Sequence, residues 1–199
     1  MVLVYVEHAG GEPDDLSLQA LAFARGYAGG DDLHAVLAGP GAAEVAGSLG
    51  GHGVATAHVA EHEALAGGYA PQATARAIAQ CAERLAPAAV VAAGSDRGNE
   101  LLAHAAVMTG GVLAANCTEA TSGEVVEVTR MRWGGSLLEH ARVHGPVKLL
   151  TVAPHAVEAQ PAAAAEAAVE AFAPELRDED LVVRVSERVD TSTGGLSLA

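Results

Sequence analysis

The stretch that most constrains this chain runs from Ala88 to Gly111, a short apolar run followed by a glycine exit and an amphipathic helix. Ala88 to Ala93 contains no polar residue, the pattern of a strand covered on both faces. Gly94 permits a sharp exit, and Ser95 or Asp96 stands where a helix needs an oxygen to accept its free N–H groups. Beyond it Gly98, Leu101, Leu102, Ala105 and Met108 recur at helical spacing and mark one buried face. A strand buried on both faces needs helices above and below its sheet, so the stretch asks for a layered α/β architecture. The loop at the carboxyl end of such a strand is where ligands usually sit, which makes Gly94, Ser95, Gly98 and Asn99 the candidates for a nucleotide loop. Against that reading, no G-K-[ST] follows, the glycines are not G-x-G-x-x-G, and Asp96 and Glu100 repel phosphate. A purely structural strand-to-helix turn is the competing reading.

The same rhythm runs through the first half. Val2 to Val6 reads as a central strand broken by Glu7 to Gly11, and Pro13-Asp14-Asp15 opens a helix to about Ala28. Leu33 to Ala38 is a strand, Gly39-Pro40-Gly41 leads into a short Ala-rich helix to about Leu49, and Val54 to Ala60 is a third strand. Pro71 opens a helix with Ala73, Ala77, Ile78, Cys81, Ala82 and Leu85 on one face, and Pro87 ends it. Repeated βαβ units imply a mostly parallel sheet with helices on both faces. After Gly110-Gly111, Val112–Cys117, Glu124–Arg130, Ser136–Val143 and Val147–Ala153 all look extended, with His144-Gly145-Pro146 a tight turn. The fold class is therefore α/β, a three-layer αβα arrangement whose mostly parallel sheet carries added antiparallel strands. Composition makes Ala156 to Ala173 a helix, with an edge strand at Val169–Phe172 as the alternative. Leu181 to Val185 reads as one more strand, and Asp190 to Ala199 as a linker.

Composition narrows the partners. Twenty-five acidic residues against 11 basic ones give a formal charge of −14, which excludes nucleic acid and disfavours anionic membranes. Half the residues are hydrophobic but only 3% aromatic, so Ala, Val and Leu must build the core. No apolar run approaches the ~20 residues that cross a bilayer. Met1 leads straight into a strand without a signal peptide, and Cys81 and Cys117 have no C-x-x-C spacing. These features lead to the expectation of a cytoplasmic protein with reduced thiols and no membrane insertion.

Other chemistry is sparse. His58 and His62, and His140 and His144, are four apart, but on strands and turns that spacing does not bring imidazoles together, so no metal site is expected. Ser95 and Ser136 lie in no G-x-S-x-G elbow, and no catalytic residue is assigned. Arg130-Met131-Arg132-Trp133-Gly134-Gly135-Ser136 holds the sole tryptophan beside two arginines and a glycine pair. Trp and Arg are enriched at interfaces, so Arg130, Arg132, Trp133, Gly134 and Gly135 are interface candidates. A sheet corner with Trp133 laid over the edge is the alternative.

In order and spacing, V-L-V-Y-V-E-H at Val2, L-H-A-V-L-A-G-P-G at Leu33, G-S-D-R-G-N-E-L-L-A-H-A-A at Gly94, R-M-R-W-G-G-S at Arg130 and K-L-L-T-V-A at Lys148 form one pattern. It resembles the N-terminal domain of the electron transfer flavoprotein α subunit, over about Val2 to Val157. The resemblance implies a fold like that of the adenine-nucleotide alpha-hydrolases, with residues 1–157 as a scaffold domain packed on a β subunit. It implies FAD held by a C-terminal domain outside this segment, with residues 158–199 as an appended strand and linker leading to it. AMP is expected in the β subunit, and flavin dehydrogenases and an electron acceptor are the implied transient partners. The chain would thus be an electron-carrier subunit rather than a catalyst. The alternative is a stand-alone AMP- or ATP-binding domain of the same fold. The family usually has R-P-x-Y-A-G-N where Arg130 to Ser136 stands, and an arginine where Ala153 stands; these departures mark a divergent member.

Overall fold

The computed structural model describes residues 1–163, 165–185 and 187. Strand β1 (Val2–Tyr5) is wholly buried, and it carries the sheet's two faces in alternation. Val2 and Val4 point into one apolar cluster, and Leu3 and Tyr5 into the other. The strands that follow are β4 (Leu33–Ala38), β5 (Val54–Ala60), β6 (Val90–Ala93), β7 (Val112–Thr121), β8 (Val126–Arg132), β9 (Leu137–Val143), β10 (Lys148–Val152) and β11 (Ala168–Phe172). A two-residue-per-strand hairpin, β2 (His8–Ala9) with β3 (Glu12–Pro13), fills the break after β1. The main sheet has nine strands in the order β11-β5-β4-β1-β6-β10-β7-β8-β9, parallel from β11 to β7 and antiparallel through β8 and β9.

Four helices make the outer layers. Helices α1 (Asp15–Ala28) and α2 (Ala42–Ala46) cover the face that holds Val2 and Val4, whereas α3 (Pro71–Leu85) and α4 (Asp96–Thr109) cover the face that holds Leu3 and Tyr5. This is the three-layer αβα arrangement expected, with a mixed sheet. Local chemistry sets the helix ends. Asp14 caps α1 by accepting the Leu16 N–H at 2.8 Å, and Gly29 ends it in the left-handed conformation. Cys81 lies in one apolar cluster and Cys117 in the other, so the sheet separates them and both are free. Burial pushes the two thiols up to about 11 and about 12. Small side chains line both clusters, as the scarcity of aromatics required.

Past Gly111 the chain is less direct than its sequence suggests. The His144-Gly145-Pro146 turn joins β9 to β10, but those strands are not neighbours: β10 inserts between β6 and β7. The helix expected over Ala156–Ala173 is overturned in favour of its alternative. Pro161 interrupts it, and the described residues of 160–167 form no helix, with Ala162 N–H donating to Gly51 O at 2.7 Å and Ala167 N–H to Gly47 O at 3.1 Å. Here the alanines allow backbone to lie on backbone. A Cβ on Gly50 would sit 2.4 Å from Ala165 O. The segment then pairs as β11 with β5 and completes the sheet edge.

The strand expected at Leu181–Val185 is overturned as well, because a 3-10 turn occupies Asp178–Leu181. Asp180 is buried there against Arg76 of α3, with Nε to Oδ2 at 3.0 Å and a second nitrogen to Oδ1 at 3.1 Å. Arg177 N–H adds a bond to the same carboxylate at 3.0 Å, so the turn closes around its own buried charge. One helical turn along α3, the Gln80 amide exchanges two bonds with the Glu175 backbone, at 2.7 and 3.0 Å. The linker expected at Asp190–Ala199 lies outside the described residues. Breaking a buried pair from one side strands the other charge, at a cost of about 3–5 kcal/mol. Asp180→Ala is therefore expected to destabilise the domain by about that much in urea unfolding, and Asp178→Ala, at an exposed neighbour, by less than about 0.5 kcal/mol.

Candidate functional site

The chain builds β1, β4 and β5 outward in one direction, then α3 carries it back across β1 to start β6 on the other side. The reversal falls between β1 and β6, and a crevice at the carboxyl ends of such strands is where open α/β sheets bind ligands. The end of β1 and the chain just past it bring Tyr5, Glu7 and His8 here, and the start of α4 brings its cap residue Ser95 and Arg97. Tyr5, His8, Gly39, Pro40, Gly68 and Arg97 line a cleft of about 340 Å³.

The four nucleotide-loop candidates all lie at this point, and each is held by the protein itself. Gly94 N–H donates to Val152 O at 2.7 Å, and a Cβ on Gly94 would stand 2.5 Å from that same oxygen. Ser95 caps α4, its Oγ accepting the Gly98 N–H at 2.8 Å. A Cβ on Gly98 would lie 2.0 Å from Ala93 O, so glycine is required where the helix begins against its own strand. Asn99 donates to Gly94 O at 3.1 Å and accepts from Thr151 Oγ1 at 2.7 Å, while Thr151 Oγ1 takes the Asn116 N–H at 2.8 Å. This polar chain ties the loop to β10 and β7.

The Ser95 hydroxyl also donates to the Glu7 carboxylate. Glu7 thus places a fixed negative charge beside the amino end of α4, where an anionic ligand would otherwise seek the helix's free N–H groups. Burial holds the Glu7 carboxyl above its ordinary range, with the Ser95 bond working the other way. The Arg97 guanidinium lies over the Tyr69 ring at 5.6 Å, and the Tyr69 hydroxyl donates to both Glu100 oxygens, at 3.0 and 2.8 Å. Arg97 is therefore turned toward an aromatic face at the rim of the crevice.

The interface candidates lie far along the sheet, on the β8–β9 hairpin. Trp133, Gly134 and Gly135 all take positive φ in its turn, and Trp133 is 81% exposed instead of laid over the sheet edge. Leu137 and Leu138 are both exposed on the outermost strand, one on each of its faces. Arg130 and Arg132 are drawn together by Glu139, at 2.8 and 3.7 Å, so the turn is less basic than its sequence suggests. On the face of this three-stranded extension that Leu138 shares, Glu119, Thr129, His140 and Arg142 border an open depression of about 530 Å³.

The family model for the electron transfer flavoprotein domain matches residues 2–176. The chain belongs to the electron transfer flavoprotein family. Electron transfer flavoprotein subunit alpha of Mycobacterium tuberculosis, in two strains, is 33% identical over 165 residues, covering 82% of this chain and 50% of the relative. The Mycobacterium leprae subunit alpha is 31% identical over 191 residues, covering 94% of this chain and 58% of the relative. The chain thus spans about half the length of the relatives it matches.

Within this electron transfer flavoprotein domain the histidine pairs read by spacing do not meet. His62 accepts the Ala64 N–H at 3.1 Å, and His140 shares a bond with Thr129 at 3.0 Å. His58 meets His34 instead, ring nitrogen to ring nitrogen at 2.9 Å. Among the described residues, no group of three or more His, Cys, Asp or Glu side chains is placed to hold a metal, and no helix is long and apolar enough to cross a membrane. Ser136 sits in the hairpin turn, far along the sheet from Ser95. The sequence reading missed Glu7, although its position one residue past a central buried strand was a usable signal. It also missed the His34–His58 contact, which only the β4–β5 register creates.

Two outcomes follow for the crevice. Gly98→Ala is expected to destabilise the domain by about 2 kcal/mol or more in urea unfolding, because the Ala93 carbonyl cannot move without disturbing β6. For Glu7, a folded-state pKa above the unfolded one means its ionised form opposes folding at neutral pH, a cost that vanishes as pH falls below the ordinary carboxylate value of about 4.3. Glu7→Gln is accordingly expected to raise stability at pH 7 and to match the parent near pH 4, as read from paired unfolding curves.

Proposed function

We propose that this chain is the scaffold domain of an electron transfer flavoprotein α subunit. In this reading electrons pass from flavin dehydrogenases to an acceptor through FAD bound outside this segment, since the redox chemistry belongs to the cofactor. The domain's own part is to present a rigid sheet to a β subunit. The observation that carries the scaffold reading is Glu7: a carboxylate bonded to the cap serine of α4 stands where a nucleotide phosphate would bind. The docking element is the β8–β9 hairpin, with the exposed Trp133 at its tip, Gly134 and Gly135 shaping the turn, and Arg130 and Arg132 behind it. An exposed tryptophan beside two exposed leucines is the composition of an interface anchor.

The 340 Å³ cleft beside Arg97 supports a second reading, a stand-alone AMP- or ATP-binding domain using Gly94, Ser95, Gly98 and Asn99. Calorimetric titration with AMP, ADP and ATP separates the two. The scaffold reading expects no saturable heat; a micromolar affinity for any of them supports the second reading. The first reading is tested by mixing the chain with an electron transfer flavoprotein β subunit and measuring affinity. Trp133→Ala is expected to weaken the complex about 30-fold, the loss of a hot spot of about 2 kcal/mol, with an unchanged unfolding midpoint. Equal affinity for parent and variant would remove the hairpin from the interface.

A further inference from the structure

Away from the crevice, a group of ionisable side chains built around the buried His58 serves none of the roles above. His34 of β4 and His58 of β5 stack with centroids 5.2 Å apart, and His34 Nδ1 lies 2.9 Å from His58 Nε2. His58 is 1% exposed. Its other nitrogen, Nδ1, lies 3.2 Å from Arg84 of α3 and 3.3 Å from the Glu170 carboxylate of β11. Arg84 in turn sits over the Phe172 ring at 5.0 Å. The edge strand thus meets α3 and β5 through Glu170 and Phe172, with the imidazole pair beneath them.

A ring-nitrogen to ring-nitrogen bond holds one proton. Either tautomer satisfies it: His58 donates to His34 and accepts from Arg84, or His34 donates to His58, which donates to Glu170. A proton added to His58 places a cation on a buried ring beside the exposed Arg84 guanidinium. The charged and titratable groups facing the pair are Arg84 and Cys81 from α3, Glu170 from β11, Asp32 just before β4, and the Met1 amino group. Glu170 is the carboxylate that touches His58, and its side chain is 61% exposed, so water shares its charge.

We propose that the His34–His58 pair is an acid-operated latch on β11: one shared proton holds the edge strand at neutral pH, and further proton uptake loosens it from α3 and β5. Detachment returns both rings to water, where a charge costs little. Burial lowers both histidines below their ordinary value, and His34 and Arg84 add to the effect at His58. The attachment is therefore fully present above the ordinary histidine pKa of about 6.5 and weakens as pH falls below it. The residues after β11, strapped across α3 by Gln80 and Arg76, lose one anchor when the latch opens.

Hydrogen exchange of the whole chain at pH 7.5 and 5.5, corrected for intrinsic rates, reads the latch directly. Amides of residues 168–172 are expected to lose about tenfold protection at pH 5.5 while β1 and β6 keep theirs. The double variant His34→Gln, His58→Gln is expected to show the same protection at both pH values. Glu170→Gln, at an exposed side chain that leaves the core intact, is expected to deepen the loss at pH 5.5 by removing the countercharge, with its onset unmoved near the ordinary histidine pKa. The proposal is overturned by β11 protection that is independent of pH in the parent, by a loss shared equally with β1 and β6, or by a loss at pH 5.5 in Glu170→Gln no deeper than the parent's.

Discussion

The carboxyl edge of this sheet depends on how β6 hands over to α4. The helix starts so close to its strand that a single methyl group on Gly98 would collide with Ala93 O, and Gly94 is pressed as closely against Val152. Such contact excludes water from the backbone, so every polar group at the junction must be paired within the protein. Ser95 and Asn99 do this, and the Asn99–Thr151–Asn116 chain carries the same register into β10 and β7. The position of the central strands and the entry to the antiparallel extension are thus tied to one turn.

That economy has a functional consequence. The residues that make the turn look like a ligand loop are the residues consumed in building it. The helix end that would attract an anion has Glu7 beside it, bonded to its cap serine. A domain with a charge of −14 gains little from an anion site at its switch point, and this one has an internal carboxylate there. An exposed tryptophan and two exposed leucines lie elsewhere, on the β8–β9 hairpin, where the sheet extends beyond its helical cover.

The other end of the chain shows composition losing to tertiary context. Residues 156–173 are rich in alanine, the best helix former, and still form no helix among the described residues, with a strand at Ala168–Phe172. A helix would have left β5 as an open edge and kept the backbone away from Gly50; the extended chain closes the edge and packs backbone on backbone. The turn after it forms around Asp180 because Arg76 waits on α3, a partner 104 residues away that no local pattern announces.

By itself the sequence determined the alternation of strands and helices as far as Gly111, the helix starts at Pro13–Asp15 and at Ser95 or Asp96, the sharp exit at Gly94, and the mixed sheet beyond. These are local: they follow from apolar period, from a side-chain oxygen three residues before an N–H, or from the absence of a Cβ. Motif order carried the family as well. Tertiary structure decided which polar groups meet. Glu7 reaches Ser95 across 88 residues, His34 finds His58 instead of either histidine finding a neighbour four residues on, and Glu139 neutralises two arginines across a hairpin. Each of these contacts depends on strand order and register, and a sheet assembled from distant segments sets both only when it closes.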